Sequence, residues 1–335
     1  MDGRRVMFVG PNKIELQSFQ FPDDLASDQV AIEATHSLIS PGTELACLRG
    51  TESWAQHPFV PGYAGCGRVI ATGEGVEGVN EGDLVFSYAK HASHVLGGRL
   101  VVPVPEGLDA GKACFARMAA VSITALRVSD AELGDTVAVI GLGLVGNLCA
   151  QLFGLAGCKV IGIDLSPERC ETARQCGIPH VINAGAADAK GAVADLTGGR
   201  MCEVVVEAIG APAVAMEAGE LAGTLGEVIL LGSPRGAYEA NVTSLLDQVH
   251  LWPKGCLTFK GAHEWRYPVH RDASGWSKHS IERNVDILMG MIADGKLLID
   301  PLITHVLPPE SCAEAYAGLR EQPGAYMGVL FDWTR

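Results

Sequence analysis

The sequence lacks three features that would classify it at once: a cluster of basic residues, an apolar leader and a paired cysteine motif. It has 25 lysines and arginines against 39 aspartates and glutamates, for a formal net charge of −14. Because no local run of Lys or Arg offsets this charge, we expect no nucleic-acid partner and no binding to an anionic membrane. The residues after Met1 contain no apolar signal core, so we expect a soluble, cytoplasmic protein.

Ten cysteines are scattered along the chain, and none belongs to a Cys-x-x-Cys pair. Several stand inside apolar runs, as Cys149 and Cys158 do, which predicts buried thiols in a reducing compartment. The stretch that comes nearest to a membrane span covers residues 137–158. Five glycines, Asn147 and Gln151 interrupt it, so we expect no membrane-spanning helix.

Apolar residues and glycine are abundant. Hydrophobic residues make up 48% of the 335, charged residues make up 19%, and there are 41 glycines. This composition predicts a globular protein with large cores joined by many tight turns. The length predicts two domains, and the sequence contains no internal repeat or low-complexity tract.

The pattern of the chain changes near residue 113. Before it, short β-like runs alternate with turns such as Pro41-Gly42 and Pro61-Gly62, which predicts an all-β domain in the form of a partly open barrel. From Thr136 onward, buried strands alternate with helices, which predicts a parallel sheet covered on both faces. The predicted strands are 30–33, 67–71, 83–86, 100–104, 137–140, 160–163, 204–206, 228–231, 303–306 and 328–331. The predicted helices are 113–128, 144–156, 167–176, 211–222, 281–294 and 310–319.

A buried strand in the middle of the chain runs into Gly-x-Gly-x-x-Gly and then into a helix. Gly141 permits the tight turn, Gly143 lets a pyrophosphate approach the backbone, and Gly146 lets the helix pack on the strand. Leu144 and Val145 begin the helix, whose N-terminal N–H groups and dipole favour phosphate. The motif predicts a dinucleotide-binding site; a structural glycine turn in another α/β protein is the alternative.

A second apolar strand ends in Asp164, at the spacing expected for a carboxylate that accepts hydrogen bonds from the adenosine ribose. Because a carboxylate there repels a 2′-phosphate, NAD is the predicted cofactor, with NADP as the alternative. Arg169 follows five residues later and would weaken the preference if it faced the ribose. An ordinary position on the helix surface is the other interpretation of Arg169.

The chain resembles the medium-chain dehydrogenase/reductase superfamily over essentially its whole length. The segments that carry the resemblance are Pro41-Gly-Thr-Glu44, Pro61-Gly-Tyr-Ala-Gly-Cys-Gly67, Glu81-Gly-Asp-Leu-Val85, the Gly141 motif, Leu231-Gly-Ser233 and Phe259-Lys-Gly-Ala262. The resemblance implies an α/β fold in which a GroES-like β-barrel catalytic domain and a Rossmann doubly wound domain flank a substrate cleft. It places the GroES-like domain at 1–125, the Rossmann NAD-binding domain at 126–262 and a return to the catalytic domain at 263–335, in a homodimer or homotetramer.

The zinc enzymes of this superfamily carry ligands that this sequence lacks. Where they have Cys-Gly-(Ser/Thr)-Asp the chain has Pro41-Gly-Thr-Glu44, and where they have Gly-His-Glu it has Gly62-Tyr-Ala64. Cys114 is the one thiol near the third ligand position, and 88–105, where a structural zinc lobe belongs, contains no cysteine. A catalytic zinc needs three protein ligands, so we expect no zinc. The finer resemblance is to a zinc-lacking branch that includes bacteriochlorophyllide hydroxyethyl dehydrogenase-like members.

Without a metal, a side chain has to stabilise the substrate oxygen or give it a proton. The resemblance places Tyr63 at the position of the zinc-binding His and Thr43 at that of a proton-relay hydroxyl. The alternatives are a ring that fills the space left by the metal and a hydroxyl that only stabilises its own turn. His91 matches a substrate-pocket position and suits acid–base work near neutrality, or pairs with His94 at a metal. Glu44 is predicted to make a structural ion pair or a cap.

The resemblance also implies residues around the substrate and the cofactor. Trp54 is a candidate apolar wall of the pocket, with an ordinary loop aromatic as the alternative. His263 follows Ala262, whose backbone would face the nicotinamide carboxamide, and is either a cleft residue or a surface or core histidine. The remaining cofactor positions that the resemblance implies are Thr124, Gly232 and Ser233.

These features favour an NAD-dependent, zinc-independent dehydrogenase that acts on a secondary alcohol or its ketone. The histidines and polar residues predicted in the cleft suggest a polyhydroxylated or otherwise polar small molecule as the substrate. A quinone or enoyl reductase is a second hypothesis. Such enzymes prefer NADPH, so Asp164 counts against it. A nucleotide-binding homologue without catalytic activity is a third hypothesis, favoured by the missing zinc ligands and opposed by the intact glycine motif.

Overall fold

The computed structural model describes residues 1–97 and 100–335. They form two compact units, one made of Met1–Met118 with Tyr267–Arg335 and the other of Ala119–Arg266. Within the described residues, no helix is both long enough and apolar enough to cross a membrane. The predicted α/β fold class, with a β-rich first unit and a doubly wound parallel sheet in the second, is confirmed.

The elements follow in chain order. The strands are β1 (Asp2–Gly10), β2 (Lys13–Gln20), β3 (Val30–Leu38), β4 (Gly65–Thr72), β5 (Leu84–Ser87), β6 (His94–Gly97), β7 (Val101–Pro103), β8 (Thr136–Ile140), β9 (Lys159–Asp164), β10 (His180–Asn183), β11 (Cys202–Glu207), β12 (Ala222–Leu230), β13 (Thr258–Gly261), β14 (Ile303–Leu307) and β15 (Gly328–Asp332). The helices are α1 (Pro41–Arg49), α2 (Ala110–Ala113), α3 (Ala116–Val128), α4 (Leu144–Leu155), α5 (Pro167–Gln175), α6 (Ala189–Thr197), α7 (Pro212–Glu217), α8 (Val242–His250), α9 (Ile281–Ala293) and α10 (Cys312–Glu321).

The first unit contains a sheet in the order β14-β15-β3-β4-β5-β7, with β6 also paired with β3. Neighbouring strands are antiparallel except for β14 and β15. The last strand, β15, pairs with β3, and Leu330 lies opposite Leu38. Both ends of the chain therefore contribute to one sheet. A separate antiparallel hairpin is formed by β1 and β2.

Large apolar side chains hold α1 and α10 in the first unit. Phe8, Ile39, Tyr316 and Phe331 are at most 1% exposed and belong to one core cluster. The rings of Tyr316 and Phe8 meet edge-on, with 5.1 Å between their centroids. Burying a side chain of this size contributes about 1.5–3 kcal/mol. This core fixes the segment around Ser40 that carries candidate site residues.

The second unit contains a parallel sheet in the order β10-β9-β8-β11-β12-β13. Its strands are continuous apolar runs because both faces are covered. Val137 and Val139 of β8 belong to one core cluster, and Ala138 between them belongs to another. The strand order reverses between β8 and β11. In doubly wound sheets this reversal marks the nucleotide crevice at the carboxyl ends of the strands.

The structure corrects two local predictions. Pro41-Gly42 is not a turn between strands, because Pro41 opens α1 with Ser40 as the N-cap, and the fixed φ of proline suits that position. The helix predicted over 211–222 is too long, since α7 ends at Glu217 and β12 begins at Ala222. Strand β2 and helix α8 are absent from the predicted elements, and neither contains a fully buried residue.

The prediction for the cysteines is confirmed at Cys149, which is buried, and wrong at Cys158, which is half-buried. Cys158 lies between α4 and β9, and its thiol donates a hydrogen bond to the carbonyl oxygen of Glu132. A side chain in a surface connection stays partly exposed to solvent even where its neighbours in sequence are apolar.

Candidate active site

The turn between β8 and α4 requires glycine at two of the three predicted positions. Gly141 has φ +93°, and a Cβ there would lie 2.5 Å from Cγ1 of Ile209. A Cβ on Gly146 would overlap the carbonyl oxygen of Gly141. Because no larger residue fits either position, α4 packs closely on β8 and presents its N-terminus at the carboxyl edge of the sheet.

Gly143 lies at this helix N-terminus and is open on one side. It is the N-cap of α4 and gives the first turn no side-chain hydrogen bond. A Cβ on Gly143 would meet nothing nearer than Nη1 of Arg169 at 3.8 Å. Leu144 is buried behind the turn, and the carbonyl oxygen of Val145 accepts a hydrogen bond from Oγ of Ser122. The N–H groups of a first helical turn have no acceptor within the helix, and phosphate oxygens suit them.

Asp164 ends β9 beside this turn and is nearly buried. Its Oδ2 accepts a hydrogen bond from the backbone N–H of Leu142 at 2.7 Å, and its Oδ1 accepts one from the N–H of Ser166 at 2.8 Å. Nη1 of Arg169 lies 3.8 Å from Oδ2. Arg169 is therefore not an ordinary surface residue, because its guanidinium faces both the carboxylate and the glycine turn.

The other predicted cofactor residues of the second unit lie in two places. Thr124 is buried in α3, and its hydroxyl donates to the carbonyl oxygen of Ala120. Ala262 is buried directly after β13, and its N–H donates to the carbonyl oxygen of Leu230. His263, the next residue, is exposed. Ala262 and His263 thus stand at the carboxyl edge of the sheet, whereas the Thr124 hydroxyl is engaged by its own helix.

Sequence reasoning missed Glu207, which ends β11 and is buried. Its Oε1 accepts hydrogen bonds of 2.8 Å from the N–H groups of both Ile209 and Gly210. Burial raises the pKa of Glu207, and these N–H donors oppose the rise. Gly232 precedes Ser233 and packs so closely on this loop that a Cβ would overlap the backbone nitrogen of Gly210. An acid at the end of an apolar strand was the signal available in the sequence.

A second set of polar residues surrounds Tyr63 in the first unit, and we call Tyr63, Ser40, Thr43, Arg117 and Tyr88 the Tyr63 cluster. The Tyr63 hydroxyl donates a hydrogen bond to Oγ of Ser40. Cζ of Arg117 lies 4.8 Å from the centroid of the Tyr63 ring and 4.6 Å from that of Tyr88. The cluster brings Tyr63 and Thr43 together.

The surroundings of Tyr63 act on its pKa in both directions. Burial raises the pKa, and the negative charge of Glu44 adds to the rise. The Arg117 guanidinium lowers it, as do hydrogen bonds with Ser40 and Thr43. The net result is a raised pKa, with Arg117 as the largest opposing influence. Arg117 was also missed from the sequence, although a basic residue in the Ala-rich segment 113–128 was a usable signal.

His91 is placed differently from the pocket residue that the resemblance implied. Its side chain is completely buried. Nδ1 lies 2.8 Å from Oγ of Ser37, and Nε2 lies 3.0 Å from Oε2 of Glu44. The same Ser37 hydroxyl oxygen accepts a hydrogen bond from Nε1 of Trp333. Because both ring nitrogens are engaged inside the core, His91 is a partner of Glu44 and does not face a pocket.

Glu44 connects His91 to the Tyr63 cluster. Its Oε1 accepts from the backbone N–H of Ser40 at 2.8 Å, and its Oε2 accepts from His91 and from the hydroxyl of Tyr316. A buried carboxylate with three donors is well satisfied. The prediction that Glu44 makes a structural ion pair or a cap is confirmed, and it fixes the segment that places Ser40 beside Tyr63.

The contacts of Trp54 are with other residues. It is 59% exposed, its Nε1 donates to Oε2 of Glu52 at 3.1 Å, and its ring meets that of Phe59 edge-on. None of these contacts belongs to the Tyr63 cluster. The role of Trp54 as a pocket wall stays a prediction.

The donor set of the first unit does not fit a catalytic zinc. Cys114 is the one ligand-type residue at the positions used by zinc relatives, and its Sγ lies 3.5 Å from the carbonyl oxygen of His36 and 3.3 Å from that of Ala110, either of which can accept its hydrogen. Among the described residues, no three His, Cys, Asp or Glu side chains are grouped so as to hold a metal ion. The other family positions hold Pro41, Tyr63 and Ala64.

Comparisons with known proteins agree with both units. Residues 26–123 match the family model of the alcohol dehydrogenase GroES-like domain, and residues 144–271 match that of the zinc-binding dehydrogenases. An uncharacterised zinc-type alcohol dehydrogenase-like protein of Haemophilus influenzae is 25% identical over 95% of each chain. The D-guloside 3-dehydrogenase of Escherichia coli K12 is 27% identical over 79% of this chain and 75% of its own.

Among solved structures, galactitol-1-phosphate dehydrogenase from Escherichia coli superimposes with a TM-score of 0.84 at 19% identity. The superposition covers 98% of this chain and 99% of that one. Together the family matches span about two thirds of the sequence. They include the Tyr63 cluster and, of the three motif glycines, Gly146. The chain is thus an alcohol dehydrogenase-like, NAD(P)-dependent oxidoreductase, and it belongs to the medium-chain dehydrogenase/reductase superfamily.

Proposed function

We propose that this protein is a zinc-independent dehydrogenase that interconverts a secondary alcohol and its ketone in a polyhydroxylated small molecule, with NAD(H) as the cofactor. The observation that carries the proposal is the Tyr63 cluster. It groups a phenol, two aliphatic hydroxyls and a guanidinium, around a tyrosine that the resemblance aligns with a zinc-binding His. The phenol can donate a proton to the reacting carbonyl oxygen, and the guanidinium can stabilise negative charge on it. In zinc-dependent relatives these needs are met with the help of the metal.

The second unit supplies the cofactor site of the proposal. The N-terminus of α4 and Gly143 would receive the pyrophosphate, and Asp164 would accept from the adenosine ribose hydroxyls. When bound, the nicotinamide accepts the hydride of the alcohol or returns it to the ketone. The negative charge of Asp164 favours NAD over NADP, although Arg169 lies beside it. We propose that Ala262, His263, Gly232 and Ser233 lie near the nicotinamide, as the resemblance implies.

Proton transfer is assigned to Tyr63 with help from two hydroxyls. In ketone reduction, Oη of Tyr63 gives its proton to the oxygen that becomes the alcohol; in oxidation it takes that proton back. Ser40 and Thr43 hydrogen-bond to Tyr63 and are placed to stabilise the phenolate that remains. His91 acts through Glu44, which holds the backbone of Ser40.

The names of two similar proteins support the substrate class. One is a D-guloside 3-dehydrogenase and the other a galactitol-1-phosphate dehydrogenase, and both names describe hydroxyl-rich substrates. We therefore propose a sugar derivative or polyol as the substrate. We also propose a homodimer or homotetramer, which sedimentation velocity would determine.

The first experiment is a panel assay that follows NADH absorbance. Purified protein is incubated with NAD and polyols or glycosides, and with NADH and the matching ketones. We expect turnover with polyhydroxylated secondary alcohols. Turnover confined to enones with NADPH would replace the proposal by the reductase hypothesis. Tight NAD binding without turnover on any substrate would favour the non-catalytic one.

The assignment of Tyr63 is tested by Tyr63→Phe. Removing the hydroxyl is expected to lower kcat about 100-fold or more and to leave the Kd of NAD unchanged, since Tyr63 lies in the first unit. Tyr238→Phe is the matched control, because Tyr238 is 49% exposed and lies in the second unit. Normal turnover by Tyr63→Phe would contradict the assigned role.

A further inference from the structure

Arg117 is an unusual residue for the place that it occupies. It lies in the first turn of α3 and is 6% exposed, in a chain whose net charge is −14. Its guanidinium carbon sits 4.8 Å from the Tyr63 ring centroid and 4.6 Å from the Tyr88 ring centroid. A guanidinium between two aromatic faces is held by their quadrupoles, and its charge stays because Arg does not lose its proton in proteins.

Among the described residues, the groups that act on the pKa of Tyr63 come from α3 and from the N-terminus of α1. From α3 comes the Arg117 charge. From the start of α1 come the Ser40 and Thr43 hydroxyls, with Glu44 behind them. Glu44 is the negative charge that disfavours a phenolate, and Arg117 is the positive charge that favours it. The two hydroxyls act in the same direction as Arg117.

We propose that Arg117, clamped between the rings of Tyr63 and Tyr88, is the positioning residue whose fixed charge makes Tyr63 usable as the proton-transfer group. This inference rests on the proposed function, in which Tyr63 exchanges a proton with the substrate oxygen. In this proposal the positive charge of the guanidinium stabilises negative charge at the proton-transfer group, as the positive charge of zinc would in zinc-dependent relatives. Tyr88 receives a role as well, since its ring is the second aromatic contact of the Arg117 guanidinium.

The proton step shows why the charge matters. In alcohol oxidation the O–H bond of the substrate breaks and an O–H bond forms on Oη of Tyr63. The electron pair of the substrate C–H bond leaves with its hydrogen as a hydride for NAD, the acceptor that the proposed function names. The new phenol later gives its proton to water. The reactive form is therefore the phenolate. Burial disfavours that form, and an opposite charge within about 4–6 Å favours it by about 1–3 pH units.

The test measures ionisation of Tyr63 directly, without cofactor or turnover. The protein is labelled with carbon-13 at the Cζ atom of tyrosine, and the NMR spectrum of each variant is recorded as a function of pH. The same spectrum is recorded after Tyr63→Phe has been added to that variant. The signal that disappears is the signal of Tyr63, one of six tyrosines. We expect Arg117→Met to move the Tyr63 titration to higher pH by about one unit or more. Arg117→Lys keeps the charge and should restore most of the shift.

Arg127→Met is the matched control, because Arg127 lies further along the same helix. It should leave the Tyr63 titration where it is in the wild type. A folded Arg117→Met protein with an unmoved Tyr63 titration would overturn the proposal, and so would Arg117→Lys with the same shift as Arg117→Met. If Arg117→Met does not fold, Tyr88→Leu decides: a smaller upward shift is the expected result, and no shift would overturn the proposal.

A kinetic measurement separates this inference from the proposed function. In alcohol oxidation, the pH at which log kcat levels off should rise in Arg117→Met by the same amount as the NMR titration, with the KM of NAD unchanged. An inactive Tyr63→Phe together with an unmoved Tyr63 titration in Arg117→Met removes only the role of Arg117. A fully active Tyr63→Phe removes the proposed proton step, whatever the NMR result.

Discussion

Asp164 uses both carboxylate oxygens on the backbone around the glycine turn, since Oδ2 accepts from Leu142 and Oδ1 from Ser166. Its charge is therefore fixed at one edge of the turn. Arg169 lies 3.8 Å away, with its guanidinium near Gly143. A 2′-phosphate at this place would be repelled by the acid and attracted by the arginine. The choice between NAD and NADP thus depends on the balance within this pair.

Asp164→Ser should shift cofactor choice towards NADP. The substitution removes the repelling charge and leaves Arg169 to bind the 2′-phosphate, so the ratio of kcat/KM for NADP to that for NAD should rise about tenfold or more. Asp195→Ser, at an exposed site on α6, is the control and should leave the ratio unchanged. Steady-state kinetics with both cofactors measures the effect. An unchanged ratio in Asp164→Ser would mean that Asp164 does not set the preference.

The residues that could be predicted from the sequence are those whose partners are close along the chain. The glycine turn and Asp164 belong to one β8-α4-β9 unit, so their spacing carries the geometry. Glu44 and His91 are 47 residues apart, and the contact between Arg117 and Tyr63 joins α3 to a loop before β4. Such pairs depend on tertiary packing, and no local pattern predicts them.

At the scale of elements, the turn between β8 and α4 contains two glycines with opposite surroundings. A Cβ on Gly146 would overlap the carbonyl oxygen of Gly141, whereas a Cβ on Gly143 would meet no atom nearer than 3.8 Å. Gly143 also has φ −63°, which an L-residue adopts without strain. Gly146 is therefore required by the packing of the helix on the strand. Gly143 is not required by packing, and we attribute it to the close approach of the pyrophosphate of the proposed cofactor.

Alanine at each position should separate these two requirements. Gly146→Ala is expected to lower the free energy of unfolding by about 2–3 kcal/mol, since backbone has to move to admit the methyl group. Gly143→Ala should change stability by less than about 0.5 kcal/mol and still raise the Kd of NAD about tenfold or more, because the methyl group blocks a close approach to the backbone. Urea unfolding and calorimetric titration measure the two effects. Unchanged NAD binding by Gly143→Ala would argue against a pyrophosphate at this turn.

Element α1 shows how a local pattern misleads. Pro-Gly is typical of turns, yet Ser40 caps and Pro41 opens a helix here. The helix is favoured because it buries Glu44, Cys47 and Leu48 on one face. The carboxylate of Glu44 accepts hydrogen bonds from His91 and Tyr316, which lie elsewhere in the chain. The consequence for function is direct. Thr43 and Ser40 face Tyr63 because this segment is helical.

At the scale of the whole molecule, the departures from the zinc pattern lie in separate parts of the first unit. Pro41 opens α1, Tyr63 and Ala64 precede β4, and Cys114 follows α2. A single lost ligand is often compensated by a neighbour, but losses in several elements leave no three donors together among the described residues. In their place the first unit carries the Tyr63 cluster. The proposed chemistry therefore belongs to the side chains of this unit.

Removal of metal should consequently leave the protein unchanged. After exhaustive dialysis against a chelator, we expect kcat and the Tm to match those of untreated protein, and atomic emission to find far less than about one zinc per chain. A zinc alcohol dehydrogenase treated in parallel should lose its activity, which shows that the chelation was complete. Cys114→Ser removes the last ligand-type residue at the family positions and should not alter the metal content. Loss of turnover on chelation, with recovery on adding zinc, would contradict both the zinc-independent proposal and the assignment of the proton step to Tyr63.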